Sequence, residues 1–132
     1  IIDYMNSPAS VLLTVPPWYA SATDWPTQVW QTDFPICDGA ETTLPADLEA
    51  WLHEGPPPIV CTLGSAMIQG RRYYTAFAEA AAKIGVRLLV LTRAAEQLPE
   101  PLPPGVRRFD YAPLAPLLPR TAGTIHHGGI GT

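Results

Sequence analysis

The fold of this chain is decided by the stretch "PIVCTL" (58–63), a continuous run of apolar and β-branched residues. Such a run predicts a strand that is covered on both faces, as the strands of a parallel sheet are. It is followed by "RRYYTAFAEAAAKIG" (71–85) and by a second apolar run, "VRLLVLT" (86–92). The middle segment has helical spacing and ends at Gly85. One side of this helix is predicted to carry Tyr74, Phe77, Ala78, Ala81 and Ile84.

Outward from this strand–helix–strand unit, the chain continues the alternation. On the N-terminal side, two short strands near 11–15 and 28–32 precede a helix within 45–55. The buried face of that helix is predicted to be Leu48, Trp51 and Leu52. On the C-terminal side we expect a short strand at 106–111, one turn of helix, and a last strand at 123–127. Strands that alternate with helices predict an α/β fold, a partial Rossmann-like parallel sheet with flanking helices.

Composition excludes several classes of function. The 132 residues are enough for one domain or for part of a larger protein, and 47% hydrophobic residues indicate a globular chain. A net charge of −4 and the lack of any block of Lys or Arg argue against a nucleic-acid or anionic-membrane surface. No apolar run reaches the roughly 20 residues of a membrane span. The N-terminal "IIDYMNSPAS" lacks the features of a signal peptide, so we expect a cytoplasmic protein.

The sequence predicts neither a metal site nor a cofactor. Cys37 and Cys61 are far apart and have no metal-ligand spacing, so we expect reduced thiols. His126 and His127 are adjacent, but consecutive strand residues point to opposite faces, and no Cys, Asp or Glu nearby completes a ligand set. We expect His127 to face a site and His126 to pack structurally, although the reverse orientation stays open.

Ligands of parallel sheets bind beyond the carboxyl ends of the strands, and polar or glycine residues follow four predicted strands here. These groups are Gly64-Ser65, Thr92-Arg93, Tyr111-Ala112-Pro113 and His127-Gly128-Gly129. Glycine loops, a hydroxyl and a cation at one sheet edge are typical of an anion-binding site. Each group also has a plain structural alternative: an ordinary turn at Gly64, a solvated charge at Arg93, and a core or lid aromatic at Tyr111.

The order of the motifs resembles a known family. "PPPIVCTLGSAM" (56–67) and "LPPGVRRFDYAPLAPLLPRTAGTIHHGGIGT" (102–132) look like the C-terminal domain of nucleotide-sugar glycosyltransferases of the two-Rossmann-domain (GT-B) type. The similarity is greatest to bacterial natural-product, sterol and rhamnolipid transferases, which are related to the UDP-glycosyltransferases. It covers residues 20–132, and its most specific part is the spacing between "YAPLAPLLP" and "HHGGIGT".

The resemblance implies a role for each matching position. His127 contacts the donor diphosphate, the glycine loop after it holds the same phosphates, and Gly64 lies beside them. Tyr111 borders the nucleobase, where plant relatives have a stacking Trp. Arg93 stands where many relatives have a small residue and would add a phosphate contact. The implied donor-binding residues are Gly64, Ser65, Tyr111, Ala112, His127, Gly128, Gly129, Gly131 and Thr132.

The implied reaction is transfer of a hexosyl group from a UDP- or TDP-sugar to the hydroxyl of a lipid or natural product, without metal or cofactor. The acceptor pocket and the catalytic base belong to the other domain of these enzymes. We therefore predict no catalytic residue in this chain beyond an electrostatic role for His127. Two alternatives are a non-catalytic nucleotide-binding module, such as an auxiliary partner of a transferase, and a nucleotide-sugar epimerase of similar architecture.

The resemblance also implies a domain division. Residues 1–25 would be the tail of the N-terminal domain and the interdomain linker, and residues 26–132 the first part of the nucleotide-sugar-binding domain. In the family this domain continues beyond the glycine loop with groups that hold the ribose and the donor sugar. We therefore expect the isolated chain to bind donor weakly, to be inactive, and to self-associate through apolar surface and open sheet edges.

Overall fold

The computed structural model describes residues 7–35, 43–64, 67 and 69–129. The chain divides into two compact units, Ile1–Cys37 and Asp38–Thr132. The division expected after residue 25 comes from the family resemblance and stays a prediction.

The first unit contains two parallel strands, β1 (Val11–Leu13) and β2 (Val29–Gln31), at the positions predicted for them. The side chain of Gln31 holds the segment that follows β1. Its amide nitrogen donates hydrogen bonds to the carbonyl oxygens of Val15, at 2.8 Å, and Ala20, at 2.7 Å.

The second unit is built on a four-stranded parallel sheet. In chain order its elements are α1 (Ala46–His53), β3 (Ile59–Thr62), α2 (Arg71–Ile84), β4 (Leu88–Leu91), β5 (Val106–Phe109), α3 (Leu114–Leu117) and β6 (Gly123–His126). The strand order is β5-β4-β3-β6, and every pairing is parallel. The predicted Rossmann-like parallel sheet is therefore confirmed. Within the described ranges, no helix has the length and apolar character needed to cross a membrane.

The sheet is covered on both faces because successive side chains of its strands point to opposite sides. One core contains Leu48, Trp51, Leu52, Val60, Leu89, Phe109, Ala112 and Leu117, with contributions from α1 and α3. The other core, on the α2 side, contains Cys61, Leu63, Tyr74, Ala78, Ala81, Leu88, Val90, Leu98 and Val106. Burial on both faces is the reason why the central strands are continuous apolar runs rather than alternating ones.

The two long helices pack with the predicted faces, with one exception. Leu48, Trp51 and Leu52 of α1 are buried, as expected. In α2 the buried residues are Tyr74, Ala78 and Ala81, whereas Ile84 is 68% exposed, so the packed face stops one turn before the helix ends. Gly85 ends α2 in the left-handed conformation, with φ of +71°, as its position predicted.

Two arginines fasten α1 to the rest of the second unit. The guanidinium of Arg87 lies 3.9 Å from the ring centroid of Trp51, and it donates hydrogen bonds to the carbonyl oxygens of Trp51 and Pro56, the latter at 2.8 Å. Arg120, in the 3-10 turn after α3, donates to a carboxylate oxygen of Glu49 at 2.5 Å. This hydrogen bond lowers the pKa of the Glu49 carboxyl below its ordinary value.

Replacing Arg87 by alanine should lower the free energy of unfolding by roughly 2 kcal/mol, because it removes two hydrogen bonds and a cation–π contact. Arg87→Lys keeps the charge but loses the planar fork, so we expect about half that loss. Urea unfolding followed by circular dichroism measures both. The matched control is Arg72→Ala, which removes an exposed contact 5.0 Å from the Tyr73 ring and should cost less than about 0.5 kcal/mol. Equal losses in the Arg87→Ala and Arg72→Ala variants would contradict the assignment.

Cys61 should be chemically inert in the folded chain, because burial in β3 raises the pKa of its thiol from about 9 to about 12. The folded state favours the neutral thiol over the thiolate. The stability gained from this preference is fully present at pH values below the ordinary thiol pKa and is lost as pH rises toward 12. Cys37 lies outside the described residues and is replaced by Ser to leave one thiol. At about pH 8 we expect no labelling of the native chain by a thiol reagent and full labelling in urea. Rapid labelling of the folded chain would show that the thiol is accessible.

Candidate functional site

The chain order reverses at the carboxyl edge of the sheet. From β3 the chain runs outward through β4 to β5, and it then returns to place β6 on the other side of β3. The register pairs Thr62, the last residue of β3, with His126, the last residue of β6. Ligands of open α/β sheets bind at such a switch point. The segments after β3 and β6 therefore meet at the edge where the sequence predicts a site.

The imidazole of His127 lies against Gly64, in space that only glycines leave open. A Cβ atom added to Gly64 would lie 2.6 Å from Cε1 of His127 and 3.0 Å from Nε2. A Cβ atom on Gly129 would lie 2.5 Å from the same Cε1 and would overlap Nε2. Gly64 also has φ of +81°, a left-handed conformation that side chains disfavour. The two glycines thus accommodate the ring of His127 at the solvent-exposed edge of the sheet.

His126, which we expected to pack structurally, ends β6 and is exposed, so it does not contribute to either core. Its Nδ1 atom accepts a hydrogen bond from the backbone N–H of Gly128 at 3.2 Å, which closes the turn after β6. The two histidines therefore have different surroundings. In the part of the chain that the structure describes, no group of three His, Cys, Asp or Glu residues is placed to hold a metal ion.

A cleft of about 490 Å³ opens at the carboxyl ends of β3, β4 and β5. Because β4 lies between the other two strands, the residues after β4 form its floor. The described residues after β3, Gly64 and Met67, form one wall, which we call the β3 wall, and the residues after β5 form the other. Its volume is in the range of small-molecule sites. The cleft is lined by Thr62, Gly64, Met67, Leu91, Thr92, Arg93, Ala94, Asp110, Tyr111, Ala112 and Leu114.

The charges in the cleft favour an anionic ligand. The carboxylate of Asp110 is paired with Arg108 at 2.5 Å, and the same guanidinium nitrogen donates to the carbonyl oxygen of Thr92 at 3.0 Å. Arg93 is exposed, and among the described residues it forms no ion pair. The negative charge of the cleft is therefore compensated within the protein, whereas the positive charge of Arg93 is available to a ligand.

The structure brings most of the described residues of the predicted site together. Gly64, Tyr111 and Ala112 line the cleft, and His127 adjoins it through Gly64. Tyr111 is 55% exposed, whereas Ala112 is 2% exposed and offers a ligand little besides its backbone. Gly128 and Gly129 follow His127 in the turn after β6. The predicted residues Ser65, Gly131 and Thr132 lie outside the described residues.

Several lining residues were not predicted. Asp110 follows directly on β5, which ends at Phe109, but the strand was predicted to continue to 111, so Asp110 was not recognised as a residue at the strand end. Thr62 and Leu91 are the last residues of β3 and β4 and could have been found by the strand-end rule. Met67 and Leu114 lie beyond the strand ends, and no pattern in the sequence points to them.

Comparison with known proteins identifies relatives, although no family model matches the chain. It is 36% identical over 110 residues to the O-mycaminosyltylonolide 6-deoxyallosyltransferase of Streptomyces fradiae, which covers 83% of the chain and 25% of that protein. It is 36% identical over 88 residues to the aclacinomycin-T 2-deoxy-L-fucose transferase of Streptomyces galilaeus, covering 62% of the chain and 20% of that protein. The glycosyltransferase SnogD of Streptomyces nogalater matches in structure with a TM-score of 0.65 at 26% identity, over 92% of the chain and 34% of that structure.

The parallel sheet, with a cleft at the carboxyl ends of β3, β4 and β5, defines an α/β protein of the Rossmann-like class. Within that class, the chain is similar in sequence and in structure to glycosyltransferases of the two-Rossmann-domain (GT-B) type and corresponds to part of their C-terminal half. It spans about a quarter of the length of the first relative and about a third of the solved structure. The family resemblance predicted from the motifs is therefore confirmed.

Alanine substitutions at Gly64 and Gly128 separate two effects on stability: the strain of a side chain at positive φ, and the steric overlap of a Cβ atom with the His127 ring. Gly128 has φ of +80° but nothing within 4 Å of an added Cβ, so Gly128→Ala should cost only the conformational term, about 1–2 kcal/mol. Gly64→Ala also displaces the exposed ring of His127 from its rotamer, and we expect a further loss of about 0.5–1.5 kcal/mol. Urea unfolding measures both variants.

A double variant provides the control. Adding His127→Ala to Gly64→Ala should recover the excess loss but not the conformational term, because the alanine at 127 removes the ring but leaves the backbone of residue 64 unchanged. Equal losses for Gly64→Ala and Gly128→Ala, or no recovery in the double variant, would show that the ring does not lie against Gly64.

Proposed function

We propose that this chain is the donor-binding part of a glycosyltransferase, which holds the diphosphate and the base of a UDP- or TDP-sugar while a hexosyl group passes to an acceptor hydroxyl. The observation that carries the proposal is the ring of His127, seated between Gly64 and Gly129 at the switch point of the sheet. The adjoining cleft, with the available cation of Arg93, is the second support.

The chemistry of the transfer explains why an imidazole and a glycine turn would be needed here. The leaving nucleoside diphosphate gains negative charge as its bond to the sugar breaks, and N–H donors placed at that charge lower the barrier. His127 would supply a ring N–H. Gly128 already donates its N–H to His126, so Gly129 offers the next backbone donor in the turn. Arg93 would add a cation from the floor of the cleft, and such a donor set needs no metal ion.

The nucleobase is assigned to the side of the cleft formed after β5. Tyr111 presents an exposed ring there, and the half-buried Leu91 and Leu114 provide apolar surface for a planar base. Because Ala112 is buried, only backbone groups near it could bind the polar edge of the base. The cleft thus offers the chain a way to bind the base through stacking and backbone hydrogen bonds.

The names of the relatives make the proposal more specific. Both refer to the transfer of deoxyhexoses, and both relatives are named for natural-product substrates, which favours a deoxyhexosyl donor and a natural-product acceptor over a lipid. The base that deprotonates the acceptor is assigned to the rest of the enzyme. We further propose that the isolated chain is inactive, that it self-associates and that the enzyme is cytoplasmic.

The donor site is tested by titrating the chain with UDP and with TDP and measuring binding by calorimetry or NMR. We expect binding of at least one nucleotide, weakened about tenfold or more by His127→Ala and roughly threefold to tenfold by Arg93→Ala, since each removes a charge-assisted or direct hydrogen bond. The matched control is His53→Ala, which removes an exposed histidine of α1 bonded to Glu49 and should leave affinity unchanged. Failure of the wild-type chain to bind either nucleotide would refute the proposal.

Activity is tested with a panel of nucleotide deoxyhexoses and natural-product acceptors. The enzyme that contains this chain should transfer sugar, and the chain alone should not. Turnover by the isolated chain would contradict the assignment of the base and the acceptor site to the rest of the enzyme.

A further inference from the structure

Among the described residues, a polar side chain connects each wall of the cleft to its floor. On the β5 side, Arg108 reaches from the strand to the carbonyl oxygen of Thr92. On the β3 side, the connection is made by Gln97, the last residue of the 3-10 turn that follows β4. Neither side chain lines the cleft itself. Each nevertheless bonds backbone atoms of two segments that border the cleft.

Gln97 uses both ends of its amide on the segment after β3. Its Oε1 atom accepts a hydrogen bond from the backbone N–H of Gly70 at 2.6 Å, and its Nε2 atom donates to the carbonyl oxygen of Met67 at 3.0 Å. The orientation of the amide is unambiguous, because a backbone N–H needs an acceptor and a carbonyl oxygen needs a donor. The two bonds span 27 and 30 residues of sequence.

A side chain at Gly70 would require its neighbours to move. A Cβ atom there would lie 2.7 Å from Oε1 of Gln97, 2.7 Å from the Tyr74 ring and 3.0 Å from Cγ of Met67. Gly70 is also the residue before the first turn of α2, and that helix has no side-chain cap of its own. Gln97 therefore fixes the start of α2 and the backbone of Met67 together, and Met67 lines the cleft.

We propose that Gln97 is a positioning residue of the nucleotide site: by bonding Gly70 and Met67 it holds the β3 wall at a fixed distance from the floor and so sets the width of the cleft that receives the nucleotide. This inference rests on the proposed donor-binding function. Gln97 is uncharged, so its effect on an anionic ligand acts through the geometry of the wall. In this it differs from Arg108, whose replacement would also change the charge of the site.

Gln97→Met removes both hydrogen bonds while keeping the length and the neutrality of the side chain. Titration with UDP and TDP well below the unfolding midpoint should give a dissociation constant raised about tenfold. In the enzyme that contains the chain, KM for the donor should rise with kcat nearly unchanged. The exchange rate of the Gly70 amide should also rise, which reports loss of the bond without reference to any ligand.

The chain offers a matched control and a second route to the same perturbation. Gln31→Met also removes two hydrogen bonds of a glutamine side chain, in this case both to carbonyl oxygens of the first unit, and should leave nucleotide affinity unchanged. Gly70→Ala displaces Gln97 from the other side, with φ of −77° that alanine tolerates, and should weaken binding in the same range as Gln97→Met.

The outcomes separate this inference from the proposed function. If the wild-type chain binds nucleotide and both variants bind it equally well, Gln97 has only a structural role and the inference is overturned. A fall in thermal stability with unchanged affinity has the same meaning. If the wild-type chain binds no nucleotide, the proposed function fails and the inference fails with it, while Gly70 exchange still reports whether the bond exists.

Discussion

The burial of β3 on both faces is the constraint on which the rest of the second unit depends. Val60 and Cys61, at its centre, have no exposed surface, and each belongs to a different core. A strand in this position pairs on both edges and consists of buried residues. Residues that contact a ligand can therefore lie only at its ends. The sheet edge, the cleft and the place of His127 all follow from where this one strand ends.

The register of the sheet turns that constraint into a site. Because Thr62 pairs with His126, the residue after β6 stands beside the turn after β3, and His127 meets Gly64. A shift by one residue would turn the side chains of β6 to the opposite faces of the sheet. The glycines at 64 and 129 are a second requirement, because a Cβ atom at either position would occupy the space of the His127 ring. The site is therefore a product of backbone geometry more than of reactive side chains.

Periodicity predicted the second unit well where packing follows a regular element. The faces of α1 and α2, the cap at Gly85 and the strands themselves were recognised because the pattern of apolar residues reflects burial directly. The errors lie at the ends of elements. Ile84 continues the helical pattern but extends beyond the core, and β5 ends at Phe109, so Asp110 follows the strand although it was predicted to lie within it. At such positions, neighbours in the fold outweigh neighbours in the sequence.

The amino-acid sequence by itself determined the α/β class, the family resemblance and most of the positions at the strand ends. Each of these can be predicted from a pattern of residues that are close together along the chain. The tertiary structure alone decided which of those positions form one cleft and what holds its walls. Gln97 and Gly70 are 27 residues apart, and no spacing or motif links them. They meet because β3 and β4 are paired and both faces of the sheet are buried, which is a property of the packed chain as a whole.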